Sequence, residues 1–486
     1  MRRAHAVATV RAAEAAVMAG LPAGALMARA AAALATTCAR LLGQVYGARV
    51  VLLVGTGDNG GDALHAGARL AARGARVDAL LVGGRGHEAG SAALRAAGGL
   101  VHPAEAAEGE WLGLVLAADL VVDGVLGIGG RGALREPAAG LAAAAASTGR
   151  AWLVAVDLPS GVDADSGSVA GAAFAADVTV TFGTLKPGLL VDPGHRLAGI
   201  VELVDIGLDD QLVAEPAALG LEAADVAAVW PFPGPDDDKY TRGVLGVVAG
   251  SDRYPGAAVL CVGGALGAGA GMVRFDGTDG PAAAVHARWP EAVRGDGRVQ
   301  AWVVGPGLGT DDGAEARVRE VLAADVPVLV DADGLTVLAR HPEWARDRAA
   351  LTVLTPHDRE YERFGRPVGA DRAQAARALA ADLGACILLK GSTTVVAAPG
   401  GDGPVLVNPT GTGWLATAGS GDVLSGVTGA LLAAGLGATA PAVAAYVHGV
   451  AGRLASDGGP ATALDVAEAV PAAVRAVTGG RDRIGG

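Results

Sequence analysis

Lysine and asparagine are nearly missing from this chain. Lysine occurs only at Lys186, Lys239 and Lys390 and asparagine only at Asn59 and Asn408, with arginine supplying the rest of the 38 basic side chains. All five rare residues fall in turns rich in glycine, proline or threonine, where a specific side chain is most often required. Basic charge is outweighed overall: a net charge of −13 disfavours a nucleic-acid partner, because phosphate binding draws on clustered positive charge. Small-molecule ligands fit better. No uncharged apolar run approaches the ~20 residues that cross a bilayer, although 51% of the residues are hydrophobic. The excess is mostly alanine, so no membrane association is expected, while alanine-rich faces leave room for a homo-oligomer. Arg11 and Glu14 interrupt the N-terminal stretch MRRAHAVATVRAAEAAVMAG, which argues against an export signal. The three cysteines, Cys38, Cys261 and Cys386, are odd in number and form no CxxC pair. They read as reduced core residues of a cytoplasmic protein.

Two familiar nucleotide signatures are also wanting. No GxxxxGK[ST] loop exists, so the chain is not a P-loop enzyme. GTGDNGG does satisfy GxGxxG at Gly55, Gly57 and Gly60, but 76 glycines in 486 residues yield that spacing by chance about twice. The acidic residue expected some twenty positions on is missing as well, since RVDALLV carries its aspartate, Asp78, near the start of the strand. A dinucleotide-dependent dehydrogenase is therefore not the reading.

What is present is a repeated apolar strand, glycine turn and helix, the unit of a parallel α/β sheet. After an Ala-rich helix to about residue 43, VVLLV at 50–54 feeds GTGDNGGD and a helix. RVDALLV, DLVVDGVLGIG with a helix at about 136–148, AWLVAVDLPSG and DVTVTFGTLKPG follow. Near 215 the pattern lapses, and PFPGPDDDKYTRG reads as a linker. A second series, GVLGVVAGS, RVQAWVVGPGLG, VPVLVDADG, LTVLTPH and ACILLKGSTTVV, ends in a helix opened by Gly419 to Gly421. The expectation is α/β throughout: a Rossmann-like doubly wound domain over 1–215 and a second α/β domain over 222–486. The closing VTGGRDRIGG reads as a frayed end.

In TAGSGDVLSG one carboxylate, Asp422, stands among glycines at a helix start. Unpaired N–H groups and the positive end of the helix dipole make an anion pocket there. An aspartate in it is a natural base for a hydroxyl that receives a phosphoryl group. On these four residues alone, a simple helix cap fits as well. LLKGSTT adds Lys390 at a strand end, with Gly391, Ser392, Thr393 and Thr394 suited to nucleotide phosphate and ribose.

This architecture resembles the ribokinase-like superfamily. More narrowly, YPGAAVL, VVGPGLG, VDADGL, TPHDRE, LLKGSTT, NPTG and GSGDVLSG, in order across nearly all of 225–480, resemble the ADP- or ATP-dependent NAD(P)H-hydrate dehydratases. The resemblance implies that Lys390 to Thr394 and Gly421 bind ADP or ATP with Mg2+, and that Ala258, Gly307, His357 and Asp422 face the hydrated nicotinamide nucleotide. Asp331 and Asp333 are candidates near such a metal, though solvation of a strand end accounts for them as well. A kinase releasing a stable phosphorylated metabolite, with a non-catalytic N-terminal ligand-binding module, is the competing reading; NPTG and TPH disfavour it.

In the first domain, Asn59, Asp123 and Ser160 lie at strand ends and offer oxygens able to share one cation. Each alone is turn chemistry. With FGTLKPG they resemble the YjeF N-terminal family of NAD(P)H-hydrate epimerases over about 5–210. That likeness implies K+ at Asn59, Asp123 and Ser160. It also implies substrate contacts at Asp58, Asn59, Gly60, Gly61 and Asp62, and at Gly127, Ile128, Gly129, Gly130, Arg131, Gly132 and Ala133. Asp157 would be the acid/base at C6, and Lys186 either structural or substrate-facing. The family pattern NNGGDG reads Asp58 to Ala63 here, with an acid in the first position and alanine in the last.

Overall fold

The computed structural model describes every residue except 104–107, 296 and 481–486, so most of the C-terminal tail expected to fray lies outside the described residues. The chain forms two compact units, one over Arg3–Ala218, the other over Leu219–Gly486 together with Met1–Arg2.

In the first unit seven strands run parallel, in the order Leu100–His102, Arg76–Leu80, Arg49–Val54, Leu120–Gly124, Trp152–Val156, Val178–Phe182 and Ile200–Val204. Helices cover both faces, which is why the inner strands read as continuous apolar runs. The order reverses between Arg49–Val54 and Leu120–Gly124, so their carboxyl ends open a crevice at the switch point. Gly55 makes that turn possible, since a Cβ there would sit 1.9 Å from Val125 O.

The N-terminal helix expected up to residue 43 is three elements: a strand, Arg2–Ala4, and helices Val7–Met18 and Ala25–Leu42. Pro22 and Gly24, the latter at φ +79°, break the run. Helix Ala25–Leu42 is long and apolar enough to cross a membrane by composition, but Leu34 and Cys38 are fully buried in the unit's core. Strand Ile200–Val204 escaped the sequence reading because it is an edge strand whose residues are half-buried or exposed.

The second unit is built on a mixed sheet. Seven strands are parallel, with Val244–Val248, Ala301–Val304, Val328–Val330, Thr352–Leu354 and Cys386–Leu389 side by side. Thr394–Ala397 and Val405–Asn408 then continue antiparallel. The glycine turn at 419–421 does open a helix, Ser420–Ala433, with Gly419 as its N-cap at φ +90°. This helix packs against Pro255–Gly267 so closely that a Cβ on Gly426 would fall 1.9 Å from Cys261 O. In the 231–243 loop the three aspartates divide: Asp237 and Asp238 accept backbone N–H groups of Gly234, Tyr240 and Thr241, which fixes the turn.

Candidate active sites

In the second unit Asp422 sits in the first turn of Ser420–Ala433, half-buried on the wall of a 630 Å³ cleft. Burial first, and then the charge of Asp331, push its carboxyl up to about 7, against the pull of Lys390. Gly421 N–H has no carbonyl partner among the described residues, so one amide of the expected anion pocket is open. Lys390 Nζ donates to Asp331 Oδ1 at 2.8 Å and lies 3.5 Å from Glu360 Oε2. Burial alone lowers the ammonium's pKa, but the two carboxylates outweigh it and the net shift is upward.

Gly391, Ser392, Thr394, Gly421 and His357 line the same cleft. Thr393 is 1% exposed and stands behind the lining. His357 accepts Glu360 N–H at 3.2 Å and caps helix Asp358–Glu362. Asn408 ties its own turn: its Nδ2 donates to Ala445 O, while its Oδ1 accepts from Thr410 N and Oγ1.

Two of the residues expected to face the substrate lie off this lining. Ala258 does not face the cleft; it has 0% exposure and its methyl joins the core beside Gly250. Gly307 is also off the cleft lining; its carbonyl accepts Ser251 Oγ–H, and at φ +61° it shapes the backbone. Asp331 is engaged by its neighbours, with Lys390 Nζ donating to Oδ1 and Ser425 Oγ to Oδ2 at 2.7 Å. Asp333 accepts Gly309 N–H at 2.9 Å.

The sequence reading missed Glu360 as the second partner of Lys390, and it missed His448. His448 lines the cleft, is 6% exposed, and has an Nε2 without a hydrogen-bond partner. Burial brings it down to about 4. Glu360 closes the TPHDRE motif, in which only the histidine stood out, whereas no local motif marks His448.

The first unit brings Asn59, Asp123 and Ser160 together at the switch point. Asp123 is fully buried; its Oδ1 accepts Ser160 Oγ–H at 2.7 Å and Val125 N–H at 3.2 Å, its Oδ2 Ser160 N–H at 2.7 Å. No basic side chain pairs with it among the described residues, and burial pushes it up to about 6. Asn59 Nδ2 donates to Leu126 O and Val156 O. Its Oδ1 lies over Gly127, where a Cβ would come within 2.4 Å. A lone buried carboxylate among neutral oxygens suits a hard monovalent cation. Among the described residues no cluster of three or more His, Cys, Asp or Glu exists to hold a more demanding metal.

Asp157 is a non-glycine residue at φ +67°, a strained conformation that is typical of functional positions. It is ion-paired with the buried Lys186, which also donates to Thr181 Oγ1 at 3.0 Å and Phe182 O at 3.1 Å. Lys186 therefore acts as the partner of Asp157. Asp58 is exposed on the first turn of helix Asp58–Ala71, whereas Gly60, Gly61 and Asp62 are buried. Gly127 to Ala133 form an open loop, with Arg131 and Gly132 exposed. The alanine in place of the usual glycine does not reach the loop: Ala63 is fully buried against Gly124, whose missing side chain makes room for it. Glu14, unnoticed in the sequence reading, lines a 900 Å³ cleft with Asp58, Asp62 and His65.

Fold and sites together define a two-unit α/β enzyme whose first half carries a Rossmann-like doubly wound parallel sheet. A family model described as "NAD(P)H-hydrate dehydratase" matches residues 245–471, and one described as "YjeF-related protein N-terminus" matches residues 23–188. The bifunctional NAD(P)H-hydrate repair enzyme Nnr of Mycobacterium tuberculosis is 54% identical over 90% of this chain and 90% of its own length. Its Mycobacterium leprae counterpart is 52% identical over 95% and 96%. A solved structure of ADP/ATP-dependent NAD(P)H-hydrate dehydratase from Bacillus subtilis, co-crystallised with ATP and Mg2+, is 30% identical over 53% of this chain and 97% of its own, with a TM-score of 0.48. The chain belongs to the bifunctional NAD(P)H-hydrate repair enzymes. It is an NAD(P)H-hydrate epimerase and dehydratase in one polypeptide.

Proposed function

We propose that the second unit dehydrates the S hydrate through a phosphorylated intermediate, with Asp422 as the base. Hydration at C6 of the nicotinamide ring leaves a hydroxyl that departs poorly. Asp422 takes its proton as the oxygen attacks the terminal phosphorus of ADP or ATP, and the open amide of Gly421 and the helix dipole hold the transferring oxygens. The ring nitrogen's lone pair then expels phosphate, and loss of the C5 proton restores the double bond. The loop from Lys390 to Thr394 holds the nucleotide, and Mg2+ arriving with it would offset phosphate charge. The observation that carries this reading is the half-buried Asp422, raised to about 7 on the wall of the cleft, where a carboxylate is a useful base near neutral pH.

The first unit interconverts R and S hydrates, with Asp157 as acid/base and K+ at Asn59, Asp123 and Ser160, where it would balance the buried carboxylate. Fusing the two activities gives the stereospecific step access to both epimers. Three free, buried cysteines support a reducing, cytoplasmic setting. Racemic NADPH hydrate with nucleotide, followed at the nicotinamide absorbance band, tests the reading. Conversion of both epimers is expected. Conversion of S alone, beyond spontaneous inversion, removes the first unit's role, and a stable phosphorylated product without NADPH replaces dehydration with a kinase.

A further inference from the structure

Four carboxylates come close enough in the first unit for their charges to interact, and they are not equivalent. Asp157, 6% exposed and behind the lining of the 900 Å³ cleft, is held by the ammonium of Lys186. Asp62 is 7% exposed, lines the 900 Å³ cleft, and its Oδ1 has no hydrogen-bond partner. It faces Glu14 from helix Val7–Met18, Asp58 from its own helix and Asp157 from the end of strand Trp152–Val156, and no ion pair forms with it among the described residues. Burial and those three like charges raise it well above the ordinary carboxylate range. The cleft's basic groups, Arg69, His65 and His87, make no bond to it. A buried carboxylate left bare costs several kcal/mol unless it is neutral, and a neutral one in a ligand cleft is a proton donor. Two acids whose surroundings drive them apart are the usual form of an acid and base pair.

We infer that Asp62 is the acid partner of Asp157 in the epimerisation, an assignment that rests on the first unit being the epimerase. Asp62 gives its proton to the C6 hydroxyl as the C6–O bond breaks and water leaves, while the ring nitrogen's lone pair forms the C6=N1 double bond. Water then adds to the opposite face, its oxygen bonding to C6 as the double-bond electrons return to nitrogen, and Asp157 takes the proton that this water sheds. Inversion in the other direction uses the same two groups with roles exchanged, and solvent resets the proton between turnovers.

The test uses the full-length enzyme at saturating K+ with purified R hydrate. Asp62→Asn keeps the shape and removes the proton. It should lower epimerisation kcat at least a hundredfold, with KM within about threefold and dehydration of S hydrate unchanged. Asp62→Ser, smaller and neutral, serves if the amide does not pack, and intact dehydration with an unchanged melting profile certifies either variant. In 18O-labelled water the wild-type product should carry the label at C6. Unlabelled inverted product overturns the C6–O step. An Asp62 variant near the wild-type rate, a change in KM alone, or a change only in the K+ concentration required overturns the role of Asp62. Absence of epimerisation by the wild type strikes the underlying reading instead.

Discussion

Lys390 Nζ stands 2.8 Å from Asp331 Oδ1 and 3.5 Å from Glu360 Oε2, so one ammonium holds two buried carboxylates beside the turn that carries Asp422. A Cβ on Gly421 would lie 3.4 Å from the same nitrogen. The contact joins a strand end, a short helix and the start of Ser420–Ala433, and it keeps positive charge where phosphate is to arrive.

Removing the ammonium should therefore be costly. Lys390→Met leaves Asp331, whose side chain is 2% exposed, with no cation, and a broken buried pair loses about 3–5 kcal/mol. Urea denaturation of the second unit should show this loss, and Lys390→Met combined with Asp331→Asn should regain part of it. Equal stability of single and double variants would mean that the pair carries little coupling.

Asp422→Asn should lower dehydration of the S hydrate roughly a hundred- to ten-thousand-fold and leave epimerisation intact. In the wild type the base is competent only when ionised, so dehydration kcat should rise with pH through about 7. Stability moves the other way. The folded value lies above the unfolded one of about 4, the folded state binds more protons between them, and stability is lost as pH climbs from about 4 to about 7. Thermal melts should thus find Asp422→Asn more stable than wild type at pH 8 and no more stable at pH 4.

Gly426→Ala should shift the helix that carries Asp422, because the added methyl would meet Cys261 O at 1.9 Å. A destabilisation of about 1–3 kcal/mol or more is expected, with a fall in dehydration. Gly256→Ala, on the facing helix with nothing within 4 Å of its Cβ, should be neutral or stabilising. If both variants behave alike in melting and assay, close helix contact does not set the position of Asp422.

Potassium should act on one unit only. KCl should raise both the melting temperature of the first unit and the epimerisation rate through binding to the folded state, and Asp123→Asn should abolish both effects without touching dehydration. A matching response to tetramethylammonium chloride would reduce the effect to ionic strength.

The strands were legible because parallel strands buried on both faces must be apolar along their length, as Val50 to Val54 and Val244–Val248 are. The helix start at Ser420 was legible because glycines before an apolar run have few other uses. The N-terminal break at Pro22 and Gly24 and the edge strand Ile200–Val204 were lost for the converse reason: alanine runs and half-exposed strands carry little contrast. Ala258, whose methyl lies in the core, shows what stays open in a sequence, since a methyl on a helix turns to cleft or core according to packing that its neighbours in the chain do not encode.

By itself, the sequence determined the order of elements, the glycine turns and the kinds of side chain available at each strand end, because backbone sterics and burial act locally. Only the tertiary structure decided how those side chains pair and protonate. Lys390 meets Asp331 across 59 residues, Ser425 meets Asp331 across 94, and Asp157 gains Lys186 while Asp62 gains no cation. A carboxylate's charge depends on the burial and fields that folding assembles, and those come from residues that are distant in the chain.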